Sequence, residues 1–125
     1  MNRTALITGT TSGIDAAFCN LLAKEKYNLI LVSRDANALS KQAEILRKET
    51  AISVFCYDLS DTKAPKKIFE DVTAAGLSVD ILINNAGFNE AGNFLYTNLS
   101  KELEMVQVHI KTLTELTKLF FAWHD

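Results

Sequence analysis

A glycine-bearing turn near the amino terminus is the part of the sequence best suited to chemistry. Gly9 and Gly13 lie four residues apart, between an apolar run at Ala5–Ile7 and an apolar-rich segment that begins at Ala16. A strand, a glycine turn and a helix in this order form an anion site. Glycine allows the backbone to approach a ligand closely, and the first free N–H groups of the helix point at the anion. The turn is therefore predicted to bind phosphate groups.

Three later apolar runs are each followed by a polar or glycine-containing motif: Ser33-Arg34, Asp58-Leu59 and Asn84-Asn85-Ala86-Gly87. A guanidinium such as that of Arg34 binds a phosphate through two parallel hydrogen bonds, whereas a carboxylate there would repel it. Each motif also has a purely structural alternative. Arg34 is then a solvated charge at a helix start, Asp58 is a helix cap, and the Asn-Asn-Ala-Gly segment is only a turn.

Four apolar runs that alternate with helical patterns would position these motifs. The runs are Thr4–Thr8, Asn28–Val32, Ile52–Tyr57 and Asp80–Asn84, and the helices lie near Ser12–Lys26, Asn37–Glu49 and Thr62–Ala75. Because the runs are nearly continuous in apolar residues, they predict strands buried on both faces of a parallel sheet. The alternation predicts a Rossmann-like, doubly wound α/β fold with strand order 3-2-1-4, formed by residues 1–125 as one half-domain.

A last, amphipathic helix is predicted from about Leu99 to Trp123. Its apolar face consists of Leu99, Leu103, Val106, Ile110, Leu113 and Phe120, and it is widened by Met105, His109, Leu116 and Trp123. An apolar arc of this width is more than one sheet face can cover. The arc is predicted to pack against a second copy of the chain, as a homo-oligomer, or against the remainder of a larger domain.

The composition restricts the class of protein. With 48% hydrophobic residues, 22% charged residues and one proline, the 125 residues are expected to fold as one domain. A net charge of −2 argues against a nucleic-acid partner, and no apolar run is long enough for a membrane span or placed as a signal peptide. Cys19 and Cys56 have no metal-ligand spacing. They are predicted to be reduced core residues, which indicates no metal site and a cytoplasmic location.

In this order the motifs resemble those of the short-chain dehydrogenase/reductase family, in its bacterial carbonyl-reducing type. The resemblance covers the whole chain and includes Leu113–Thr117 of the last helix. It implies an NADP site that comprises Gly9, Thr11, Ser12, Gly13, Ile14, Ser33, Arg34, Asp58, Leu59, Asn85, Ala86 and Gly87. It implies that Arg34 binds the 2′-phosphate, and that Asp58 lies close to the adenine. The implied substrate is a small carbonyl or alcohol compound.

Two positions depart from the family pattern. Asp15 occupies the place of the third glycine, where a carboxylate would repel the pyrophosphate and is predicted to impair NADP binding. His109 occupies the place of a helix Asn that supports the family's proton relay. Because a histidine within an apolar arc is more often a packing residue than a catalyst, a structural role is expected for His109.

The family's catalytic Ser and Tyr-x-x-x-Lys pair cannot be placed in this sequence. None of the three tyrosines has a Lys four residues later: Tyr27 precedes Leu31, Tyr57 precedes Asp61 and Tyr96 precedes Ser100. One hypothesis is therefore the NADP-binding, amino-terminal half of an oxidoreductase, incomplete for catalysis on its own. The other is a truncated, non-catalytic relative that serves as a binding or interaction module or has no function. A receiver-type domain is disfavoured because Thr-Gly, and not an acidic cluster, follows the first strand.

Overall fold

Four parallel strands form the central sheet. The computed structural model describes residues 3–9, 13–84, 99–100, 103 and 111–121, with the backbone alone at Gly13, Ile14, Asp15, Asn84 and Leu113. The strands are β1 (Thr4–Thr8), β2 (Asn28–Ser33), β3 (Ile52–Cys56) and β4 (Ile81–Asn84). Their order is β3-β2-β1-β4, and every neighbouring pair is parallel. The predicted fold class and strand order are confirmed.

In the described part of the chain, four helices cover the two faces of the sheet: α1 (Gly13–Lys24), α2 (Ala36–Leu46), α3 (Ala64–Ala74) and α4 (Leu113–Phe121). On one face, α1 and α2 pack on Ala5, Ile7, Leu29, Leu31 and Ile52 through Cys19, Ala23, Leu39, Ala43 and Leu46. On the other face, α3 and α4 pack on Leu6, Ile30 and Val32 through Ala64, Ile68, Val72 and Leu116. Alternate residues of β1 and β2 thus enter opposite cores, which explains why these strands are continuously apolar.

Two helices end in the same hydrogen-bonded turn. After α1, Lys26 has a φ of 67° and its N–H donates to the Ala23 carbonyl at 3.0 Å. After α3, Gly76 has a φ of 75° and its N–H donates to the Thr73 carbonyl at 3.0 Å. In both cases the next N–H donates to the carbonyl five residues earlier, as in a Schellman motif. Both turns deliver the chain to the amino edge of the sheet, where the following strand begins.

The flanking strands differ from their predicted burial. Residues 53–55 of β3 and 81–83 of β4 are half-buried, whereas Ala5–Thr8 and Leu29–Ser33 are buried. The prediction that all four strands are buried on both faces is therefore wrong for β3 and β4, because they flank the central pair. For the same reason Cys56, at the end of β3, is exposed and is not the core residue that was predicted, although Cys19 is.

The predicted last helix is described in part. Leu99, Ser100 and Leu103 are helical, and after an undescribed stretch a π-type turn at 111–112 leads into α4. Leu116 is fully buried, while Leu99 and Leu103 are 67% and 60% exposed. Only part of the predicted apolar face is thus covered within the described residues. In the same described part of the chain, no helix has the length and apolar character needed to cross a membrane.

Candidate nucleotide-binding site

The turn after β1 has the conformation that its glycine predicts. Gly9 has a φ of 71°, in the left-handed region that residues with a Cβ adopt at a cost. Its N–H donates to the Val32 carbonyl at 2.9 Å, so this amide is used within the sheet. Helix α1 begins at Gly13, and Ile14 is its second residue. The Gly9 amide is thus not available to an anion, whereas the amides at the start of α1 lack intrahelical partners and can bind one.

The end of β2 separates a buried hydroxyl from an exposed guanidinium. Ser33 is 8% exposed, and its Oγ accepts a hydrogen bond from the Asp35 N–H at 3.4 Å. Asp35 caps α2, since its carboxylate accepts from the Ala38 N–H at 3.0 Å. The side chain of Arg34 is exposed, and its guanidinium makes no hydrogen bond to another described residue. Arg34 is therefore available to a ligand, whereas Ser33 and Asp35 shape the loop.

The loop after β3 presents a carboxylate at the same edge. Both hydrogen bonds to the Asp58 side chain, from the Ser60 N–H at 3.0 Å and the Ser60 hydroxyl at 2.7 Å, end on Oδ1. These bonds, helped by the positive charge of Arg34, lower the pKa of Asp58. Asp58 is thus ionised at neutral pH, and Oδ2 can accept from a ligand. The structural alternative, in which Asp58 caps a helix, is wrong: Asp58 closes a local turn onto Ser60, and Lys63 is at the N-cap position of α3 without a side-chain cap.

Two contacts anchor this loop to the helices behind it. The carbonyl of Leu59, whose side chain is 6% exposed, accepts a hydrogen bond from the buried Thr112 hydroxyl at 2.8 Å. The Tyr57 hydroxyl donates to the Asp71 carboxylate of α3, and this bond is the main cause that raises the pKa of Tyr57 to about 12. Sequence reasoning missed both contacts. Thr112 did carry a signal, because it precedes the buried Leu116 by one helical turn.

The strand register gathers these loops at one edge. Thr8 is the partner of both Val32 and Asn84, and Ser33 is the partner of Cys56, so all four carboxyl ends are level. The connections leave β1 towards β2 on one side, and β4 lies on the other. This is the switch point at which open α/β sheets bind ligands.

The structure brings together five of the predicted site residues at this edge: Gly9, Ser33, Arg34, Asp58 and Leu59. Gly13 and Ile14 open α1, and Asp15 is its third residue. Five other residues lie outside the described part of the chain: Thr11, Ser12, Asn85, Ala86 and Gly87. His109 also lies outside it. The binding roles of all these residues remain predictions.

Comparison with known proteins identifies the family. A sequence profile described as short chain dehydrogenase matches residues 3–123. The chain belongs to the short-chain dehydrogenase family. Its sequence is 32% identical to a very-long-chain 3-oxoacyl-CoA reductase-like protein of Arabidopsis thaliana, over 91% of this chain and 38% of that protein.

Solved structures of other proteins share this fold. The bulky-bulky ketone specific alcohol dehydrogenase from Comamonas testosteroni has a TM-score of 0.84 and 32% identity, covering 94% of this chain and 48% of its own. A short-chain dehydrogenase from Sphingobium yanoikuyae, in complex with NADPH, has a TM-score of 0.84 and 29% identity, covering 94% and 46%. The chain thus spans less than half the length of each of these relatives, which accords with the predicted half of the family fold.

Proposed function

We propose that residues 1–125 form the nucleotide-binding part of an oxidoreductase that uses NADP(H) and acts on a small carbonyl or alcohol substrate. The observation that carries the proposal is the exposed guanidinium of Arg34, beside Asp58 and one strand away from the Gly9 turn. A cation placed there suits the 2′-phosphate that distinguishes NADP from NAD. The NADPH complex of the Sphingobium relative supports the choice of dinucleotide.

The described residues fit the successive parts of this cofactor. The positive φ of Gly9 permits close approach of the pyrophosphate, which the start of α1 attracts through its free amides. Arg34 would bind the 2′-phosphate, and Oδ2 of Asp58 would accept from the adenine amine. When bound, the nicotinamide supplies or takes up a hydride. Gly9, Arg34 and Asp58 bind and orient the dinucleotide, and none of them is assigned a part in proton transfer.

The proposal extends to location and assembly. An exposed free thiol at Cys56 is typical of a reducing compartment, which supports a cytoplasmic location. Homo-oligomer formation through the last helix remains a prediction. It is supported by the large apolar side chains that this region exposes, at Leu99, Leu103 and, with 46% exposure, Phe121.

A second candidate is a non-catalytic binding module. One feature of the sequence favours it: Asp15 stands in place of a glycine. Both candidate functions use the same fold. The measurement that separates them is therefore cofactor binding by this chain and not turnover. Saturable NADPH binding favours the oxidoreductase part, whereas no binding up to millimolar cofactor favours the module.

The test compares NADPH with NADH by titration of nicotinamide fluorescence. Replacement of Arg34 by Gln removes one or two charge-assisted hydrogen bonds to the 2′-phosphate, which corresponds to about 10- to 100-fold weaker NADPH binding. Affinity for NADH should change by less than about twofold. Arg3→Gln is the matched control, because Arg3 is exposed at the amino edge of the sheet and its loss changes the net charge equally. Equal effects of the two substitutions on NADPH affinity would refute the role of Arg34.

A further inference from the structure

Thr112 connects the last helix to the loop at the adenosine end of the candidate site. The two residues joined by its hydroxyl bond, Thr112 and Leu59, are 53 positions apart in the chain. Thr112 is 1% exposed and lies in the π-type turn that precedes α4. Such turns redirect side chains and recur at functional sites. The hydroxyl therefore satisfies a buried main-chain carbonyl that would otherwise have lost its water.

The position of the Leu59 carbonyl fixes the Ser60 N–H, which holds the Asp58 carboxylate. The Leu59 carbonyl and the Ser60 N–H belong to one planar peptide unit, and this N–H and the Ser60 hydroxyl both donate to Oδ1 of Asp58. The Leu59 side chain is packed with Ile68 and Leu116, so rotation of this peptide would move a core residue. The Asp58 side chain is held by the turn with Ser60, and that turn is held in turn by Thr112. The orientation of Oδ2 of Asp58 therefore depends on the Thr112 hydroxyl.

We infer that Thr112 is a positioning residue for the adenosine end of the dinucleotide site, and that it couples occupation of that end to the last helix. The inference rests on the proposed function, since it assigns the site an adenosine 2′-phosphate ligand. Coupling of this kind is reciprocal. If the Thr112–Leu59 hydrogen bond strengthens ligand binding by the loop after β3, the bound ligand also stabilises the turn before α4.

The test uses adenosine 2′,5′-bisphosphate, which contains the adenine and the 2′-phosphate but no nicotinamide. Thr112→Val keeps the shape of the side chain and removes the donor. The Kd for this probe and the Kd for NADPH should both rise about tenfold, by the same factor. Thr112→Ser should bind within about twofold of the wild-type chain, because it retains the hydroxyl. Thr117→Val, at an exposed position of the same helix, is the matched control and should leave both values unchanged.

A second readout separates positioning from a general loss of stability. Without ligand, the Ser60 amide should exchange with solvent at least about fivefold faster in Thr112→Val, while the Ala38 amide, which is bonded to Asp35, should keep its wild-type rate. If Thr112→Val fails to fold, the wild-type chain alone decides the question. Adding the probe should then shift the amide resonances of Thr112 and Leu116, and unshifted resonances overturn the coupling.

The failures of the two proposals are distinguishable. If the wild-type chain binds the probe and Thr112→Val binds it equally well, the inference about Thr112 is overturned and the proposed function stands. If the wild-type chain binds neither the probe nor NADPH, the proposed function is overturned and the inference falls with it.

Discussion

Gly9 and Gly76 provide a matched pair of substitutions that separates the binding site from the stability of the fold. Both glycines have positive φ, 71° and 75°, so an alanine at either position must adopt the left-handed region. This conformation costs an L-residue about 1–2 kcal/mol. The reduced entropy of the unfolded chain offsets about 0.4–1 kcal/mol of that. At Gly76 an added Cβ would meet nothing within 4 Å, so steric contacts add nothing to the free-energy cost of the left-handed backbone there.

We expect Gly9→Ala and Gly76→Ala each to lower the free energy of unfolding by about 1 kcal/mol, measured by urea titration with circular dichroism. Their effects on ligand affinity should differ. Gly9 is at the carboxyl edge of β1, where the proposed site brings the pyrophosphate close to the backbone, whereas Gly76 lies between α3 and β4 at the opposite edge. The Kd for NADPH should therefore rise at least about tenfold in Gly9→Ala, which is the effect of losing one hydrogen bond of ordinary strength. In Gly76→Ala the Kd should stay unchanged.

The comparison controls for partial unfolding, because both variants lose similar stability. Equal NADPH affinity in the two variants would refute the assignment of the Gly9 turn to phosphate binding. Unchanged stability in both would instead contradict the strain that the positive φ values imply.

Two further predictions concern charge. Asp15→Gly should tighten NADPH binding by on the order of a hundredfold, because like charges about 5 Å apart at an effective dielectric of about 20 repel by roughly 3 kcal/mol. An unchanged Kd by fluorescence titration would contradict the charge repulsion. The Tyr57 pKa is raised from 10.0 to about 12 by its bond to Asp71, so the neutral phenol contributes stability that is complete below pH 10 and is lost as the pH rises through about 12. Between pH 8 and 12, the free energy of unfolding measured in urea should therefore fall more steeply with pH in the wild-type chain than in Tyr57→Phe. Parallel pH dependences would refute the contribution of the Tyr57–Asp71 bond.

The sequence predicts the parts of this structure that depend on local pattern. Gly9 could be assigned to a turn because a strand-to-helix connection needs a residue that tolerates positive φ. The strand order followed from the alternation of elements and the handedness of crossovers. The apolar run around Cys56 does not reveal its exposure, which follows instead from the predicted strand order, because that order places β3 at the edge of the sheet. Thr112 was missed because its partner, the Leu59 carbonyl, is a backbone group that every sequence carries.

The contrast between Ser33 and Arg34 bears on how such a protein can change. A carboxylate introduced at position 33 would have to give up most of its hydration, because the present side chain is 8% exposed. The neighbouring guanidinium stands in water, and its exchange disturbs neither core. If Arg34 binds the 2′-phosphate as proposed, replacement of this single surface residue can change the dinucleotide preference while the sheet beneath it stays intact.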